Sequence, residues 1–131
     1  MTPIADTGLL VGFLDRSDQY HHWAVQAMDG LRVALVTCEA VIAETEYLVP
    51  GSGPAVMEMV QRSTLHIAPM LPDEASALAG LMQKYVRMQF ADACVVRLSE
   101  KWSDAVVYTT DKRDFNIYRR HGNKPIKCVS P

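Results

Sequence analysis

The stretch Ala105-Val106-Val107-Tyr108-Thr109-Thr110-Asp111-Lys112-Arg113-Asp114-Phe115 decides the fold. Its first five residues are apolar or β-branched with no polar alternation, the pattern of a strand buried on both faces. Asp111 then ends the strand, and Asp114 three residues later suits the first turn of a helix, where free backbone amides and the helix dipole favour acids. A doubly buried strand that runs straight into a helix is the building unit of a parallel α/β sheet. The same pattern opens the chain, where Pro3-Ile4-Ala5 gives way to Asp6-Thr7-Gly8-Leu9-Leu10. Further short strands are expected over residues 33–36, 65–68 and 126–129. Amphipathic stretches of helical length begin near Thr7, Asp18, Thr37, Pro54, Asp73, Phe90 and Lys112. These alternating elements predict one α/β domain over residues 1–131, with a central parallel sheet of about five strands and its chemistry beyond the carboxyl ends of the strands.

Composition fits that size. A chain of 131 residues that is 49% hydrophobic can bury a core without disulfides or a structural metal. Cys38, Cys94 and Cys128 are scattered, form no C-x-x-C pair, and read as small buried residues of a protein in the reducing cytoplasm. No apolar run approaches the ~20 residues of a membrane span. A net charge of −2 argues against a general nucleic-acid coat, which neutralises many phosphates with basic residues. Distribution qualifies the sum, because six of the thirteen Lys and Arg residues, Lys112, Arg113, Arg119, Arg120, Lys124 and Lys127, fall in the last fifth of the chain. They form either a basic binding surface or a solvated helix face.

The acids separate by position. Asp6, at a strand's carboxyl end, serves either as a helix N-cap or as a rim carboxylate. In Glu39-Ala40-Val41-Ile42-Ala43-Glu44-Thr45-Glu46-Tyr47-Leu48, helical geometry puts Ala40, Val41, Tyr47 and Leu48 around Glu44, in the middle of an apolar stripe. Glu39 and Glu46 fall together on the opposite, solvated side. A carboxylate on an apolar stripe needs a donor, a cation or a proton. Asp92 begins a helix whose stripe runs through Ala91, Val95, Leu98 and Trp102, and it lies at the stripe's edge. Each acid alone has a capping explanation. Together they form a set of like charges on one rim, which a hard cation such as Mg²⁺ resolves without His or Cys ligands.

Four segments carry a family resemblance over nearly the whole chain: Ile4-Ala5-Asp6-Thr7-Gly8-Leu9-Leu10-Val11, Val41-Ile42-Ala43-Glu44-Thr45-Glu46-Tyr47-Leu48, Phe90-Ala91-Asp92-Ala93, and Tyr108-Thr109-Thr110-Asp111-Lys112-Arg113-Asp114-Phe115. In this order they resemble the PIN domains, particularly VapC toxins of bacterial toxin–antitoxin pairs. The resemblance implies a PIN-like three-layer α/β/α sandwich and a metal-dependent endoribonuclease that hydrolyses RNA phosphodiester bonds. It implies Asp6, Glu44, Asp92 and Asp111 as catalytic acids. Asp6, Asp92 and Asp111 would be the ligands of Mg²⁺ or Mn²⁺, with Asp114 as an accessory. On this basis Thr7 and Thr110 support the carboxylates, and Lys112, Arg113, Arg119 and Arg120 draw in RNA. A VapB-like antitoxin and a homodimer are the implied partners, with Leu9, Leu10, Phe13, Tyr47 and Met57 either in that contact or in the core.

The match is incomplete at Met88-Gln89, where relatives often carry a further acid, and that leaves the number of ions open. His21 and His22 pair into no metal site and read as packing or substrate-side residues. A catalytically silent PIN module that only binds a partner is the first alternative. A receiver-type signalling domain also places aspartates and Mg²⁺ on a sheet rim, but Asp6 stands alone where paired acids are expected. A haloacid-dehalogenase-like phosphatase needs an acid where Gly8 stands.

Overall fold

A computed structural model describes all residues 1–131. In chain order the elements are β1 (Thr2–Ala5), α1 (Thr7–Leu14), α2 (His21–Asp29), β2 (Leu35–Thr37), α3 (Glu39–Leu48), α4 (Gly53–Gln61), β3 (Leu65–Ile67), α5 (Ala75–Lys84), α6 (Phe90–Lys101), β4 (Ala105–Tyr108), α7 (Lys112–Ile117), β5 (Arg119–Arg120), β6 (Lys124–Pro125) and β7 (Cys128–Val129). All five expected strands and all seven expected helices are present, shifted by a few residues at their ends. The addition is a small antiparallel pair, β5 with β6.

Five strands form one parallel sheet in the order β3-β2-β1-β4-β7. Helices flank it in a PIN-like α/β/α arrangement. The chain winds outward from β1 through β2 to β3, then returns to the other side of β1 with β4. The strand order therefore reverses between β1 and β4, the crevice where open parallel sheets bind ligands. A receiver domain instead has the order 2-1-3-4-5, so the topology removes that reading.

Pro3 sits in the central strand, normally a poor place for a residue without an N–H. Thr2 N bonds to Asp104 O and Asp6 N to Tyr108 O, so alternate amides of β1 point to β4 and the nitrogen of Pro3 points to β2. Pairing with β2 begins only at Ile4↔Val36, so no ladder bond is lost.

The core lies on both faces of β1 and β4, with Ile4, Leu9, Leu10, Leu35, Val95, Val96, Leu98, Val107 and Phe115 essentially inaccessible. Each such side chain contributes about 1.5–3 kcal/mol of hydrophobic stabilisation. Leu9 and Leu10 are thus core, whereas Tyr47 and Met57 are exposed. Helix α6 is buried well beyond the expected stripe, with Ala93, Cys94, Val96 and Ser99 also covered. Its polar edge is reduced to Asp92, Arg97, Glu100 and Lys101. The three cysteines are free, and no helix is long and apolar enough to cross a membrane.

Candidate active site

Because β1 and β4 are parallel neighbours, Asp6 and the Thr109–Asp111 turn leave the sheet side by side at its carboxyl rim. The backbone of Asp6 is extended (φ −83°, ψ 164°), and only 6% of the residue is accessible. Thr109 Oγ1 donates to Asp6 Oδ2 at 2.6 Å and accepts from Asp111 N at 2.9 Å. This one hydroxyl ties the ends of β1 and β4 to the start of α7. Burial, with smaller contributions from the charges of Asp92 and Glu44, pushes the Asp6 carboxyl up to about 7 against the pull of Thr109 and of the Thr7 amide.

Asp92 stands in the first turn of α6, where its Oδ2 accepts from Gln89 N at 3.3 Å as half of a capping box. The same oxygen accepts from the buried Tyr118 hydroxyl at 3.3 Å. Burial raises its pKa, and the charges of Asp111 and Glu44 add to the effect. Asp111 caps α7 by accepting from Asp114 N at 3.1 Å, and burial together with the Asp114 charge raises it as well. Tyr118 is held well above the usual phenol range by burial and by the charges of Asp92, Asp114 and Asp111. Its ring is fixed edge-on against Tyr85 and Phe115, with centroids 5.2 Å away in both cases.

Glu44 is half-buried and lies within the field of Asp6 and Asp92, while Glu39 and Glu46 are exposed. Helical geometry sorted the three glutamates correctly. The apolar stripe around Glu44, however, is only partly core: α3 buries Val41 and Thr45 and leaves Tyr47 79% exposed and Leu48 exposed too.

The acids are neighbours, but no three Asp, Glu, His or Cys side chains converge closely enough to chelate an ion in this conformation. Each is turned toward its own partner: Asp6 to Thr109, Asp92 to Gln89 and Tyr118, Asp111 to the α7 amide. Thr7 Oγ1, beside Asp6, is buried with no hydrogen-bond partner inside the protein.

No protein-family model matches the chain. A curated relative does: Ribonuclease VapC26 of Mycobacterium tuberculosis (strain ATCC 25618 / H37Rv) is 28% identical over a 126-residue alignment that covers 91% of this chain and 93% of the relative. That likeness runs over nearly the whole chain, which folds as a PIN-like sandwich. The chain is thus similar to a VapC-type ribonuclease over nearly its whole length.

Several expected residues take other places in the structure. Thr110 packs over Gly8 so closely that a Cβ built there would lie 1.9 Å from Thr110 Oγ1. Gly8 is required by this close approach, whose partner is a threonine with no other obvious task. The supporting threonine is Thr109 instead. Side chains alternate across a strand end, and only the position of β1 tells which of the two threonines turns inward.

The basic tail is not a helix face either. Lys112 and Arg113 are exposed on α7, but Arg119 and Arg120 lie in the β5–β6 pair. The Arg119 guanidinium, through Nη1, donates to the carbonyls of Asn116, Ile117 and Tyr118 at the end of α7, at 2.7, 3.3 and 3.0 Å. Arg120 Nη2 donates to Trp102 O, just past α6, at 2.8 Å. Both satisfy carbonyls that a helix end leaves open. His21 Nδ1 lies 2.7 Å from Gly12 O, which fixes α2 against α1 and makes the histidine a packing residue. Tyr118 gave no signal in the sequence, since its neighbours Ile117 and Arg119 name no site.

Proposed function

We propose that this chain is a Mg²⁺- or Mn²⁺-dependent endoribonuclease, the toxin of a VapBC-type toxin–antitoxin pair. The observation that carries the reading is the set of half-buried to buried carboxylates at the β1/β4 switch point, which raise one another's pKa and form no ion pair with any Lys or Arg of the chain. The printed name of the relative, a ribonuclease, agrees.

The donor set suits a hard divalent ion, because it is all oxygen and its like charges are relieved by a cation. The unpartnered Thr7 hydroxyl beside Asp6 adds a polar group of the kind such a site uses. Asp6, Asp92 and Asp111, with Asp114 as an accessory, would hold the ion, which when bound acidifies a water and offsets charge on the phosphate. Thr109 orients Asp6, and Tyr118 orients Asp92. Glu44 faces the same pocket from α3 and orients the attacking water. Lys112 and Arg113, exposed at the start of α7, attract the RNA backbone toward a rim that is otherwise negative. Arg119 and Arg120 hold the ends of α7 and α6 in place beneath it. A VapB-like antitoxin and a second copy of the chain are the proposed partners, and Tyr47, Leu48 and Met57 are exposed apolar side chains available for such contacts.

Purified protein with Mn²⁺ and a structured RNA tests the reading. Cleavage is expected, with loss in Asp6→Asn and Asp92→Asn. No cleavage, or cleavage undiminished in both variants, would leave the domain as a binding module. Co-purification with the product of the neighbouring reading frame, and light scattering of the isolated chain, test the partner and the dimer.

A further inference from the structure

Beside the acids, the same rim carries a cavity of about 530 Å³, lined by Glu39, Ala40, Ile67, Ala68, Pro69, Met70, Leu71, Phe90 and Cys94. These residues come from the carboxyl end of β3, the start of α3 and the start of α6. The acids stand over β1 and β4, and the cavity stands over β2 and β3, the next strands in the sheet. Neighbouring strands are about 4.8 Å apart, so the two sites are separated by roughly 5–10 Å. Helix α3 links them directly: Ala40 lines the cavity, and Glu44, on the same face one turn further, belongs to the acids.

The volume falls in the range of pockets that enclose small organic ligands, ~300–1,000 Å³, and is ample for a purine with its ribose. Seven of the nine lining residues are hydrophobic, and Phe90, 39% exposed, offers a ring for stacking. Glu39 is the one charged residue of the lining, and its carboxylate can only accept hydrogen bonds. An apolar slot with a stacking ring and a lone acceptor suits a flat base that presents two adjacent N–H donors. Guanine does so on its Watson–Crick edge, whereas uracil presents one N–H between two carbonyls. An aliphatic peptide side chain would leave Glu39 unused.

We propose that this cavity is a nucleobase subsite that takes a guanine next to the scissile phosphate, with Glu39 accepting from the base's N–H groups and Phe90 stacking on it. The proposal rests on the reading of the chain as an RNA-cutting enzyme and gives that enzyme a sequence preference. Glu39 is then a specificity residue. Its exposure at the outset of α3 is no longer only that of a solvated acid.

The test uses nucleosides and the metal-free protein, so it reads binding and not cleavage. Guanosine and uridine are titrated while the methyl resonances of Ala40, Ala68 and Met70 are followed by NMR. Guanosine should shift them with an affinity about tenfold above that of uridine, the worth of charge-assisted hydrogen bonds. Glu39→Gln, which replaces an acceptor oxygen with a donor amide, should erase that difference while stacking keeps some binding. Met70→Trp, which fills the cavity, should abolish both responses with the melting transition retained. Absence of guanosine-induced shifts, equal responses to both nucleosides, or a preference unchanged in Glu39→Gln would each overturn the subsite. So would a Met70→Trp variant that loses an antitoxin partner while the native protein shows no nucleoside response, because the cavity would then belong to a protein contact. Failure of RNA cleavage with nucleoside binding intact would instead sink the ribonuclease reading.

Discussion

Helix α6 borders two groups of acids with opposite electrostatics. At its first turn, Asp92 meets Asp6, Glu44 and Asp111, and burial with like charges raises the pKa of both Asp92 and Asp6. Two turns on, Lys101 and Arg97 clasp Glu74 from the start of α5 at 2.6 and 2.5 Å, and Arg97 also reaches Glu100 at 3.3 Å. Hydrogen bonds from Lys101 and Arg97 hold the Glu74 carboxyl below its usual range. The residue types are the same in both places. What differs is whether a basic side chain forms an ion pair with the acid. The paired group fastens α5 to α6, whereas the unpaired group opposes folding and is the kind of perturbed site that marks function.

The widest predicted gap between the two groups is in activity. Asp6→Asn and Asp92→Asn should each lower Mn²⁺-dependent RNA cleavage by ~100-fold or more. Glu74→Gln should leave cleavage unchanged and lower the melting temperature. A cleavage loss in Glu74→Gln that matched the loss in Asp6→Asn would erase the contrast.

Stability against pH gives the next largest effect, and the signs are opposite. Asp6 is raised from 3.8 to about 7, so between those values the folded state holds a proton that the unfolded state has lost. Stability from this group falls as pH rises through that window, by about 4 kcal/mol when Asp6 is fully ionised. Glu74, lowered from 4.5, stabilises above its ordinary value and loses that contribution as pH falls below it. Melting curves with a chelator from pH 4 to 8, an interval chosen to span ordinary and raised carboxyl values, should show Asp6→Asn matching native protein at the acid end and exceeding it at the alkaline end. A constant offset would contradict the assignment.

Thr109→Val removes the side-chain donor to the buried Asp6 carboxyl and should cost about 1–3 kcal/mol in denaturant unfolding. Gly8→Ala, which drives a Cβ into Thr110, should cost a similar 1–3 kcal/mol as overpacking and be partly relieved by Thr110→Ala. Smallest is Tyr118→Phe, which takes one long hydrogen bond from Asp92; it should raise metal concentration dependence by less than about tenfold and hardly move the melting temperature.

Much of this was legible in the chain itself. Periodicity marked five strands and seven helices, because burial on both faces and on one face leave different local patterns. It also placed Asp6 and Asp111 at strand ends, Asp92 in a first turn, and Glu44 apart from Glu39 and Glu46, since these positions depend only on rise and twist along one element. Tertiary structure alone decided the rest. Strand order put β1 beside β4 and so brought the acids onto one crevice, and it set β2 and β3 under a separate apolar cavity. It chose Thr109 over Thr110, brought in Tyr118, turned Arg119 and Arg120 to helix-end carbonyls, and left Tyr47 and Leu48 uncovered. Each of these is a contact between segments distant in sequence, and a local pattern carries no information on which segment will lie opposite it.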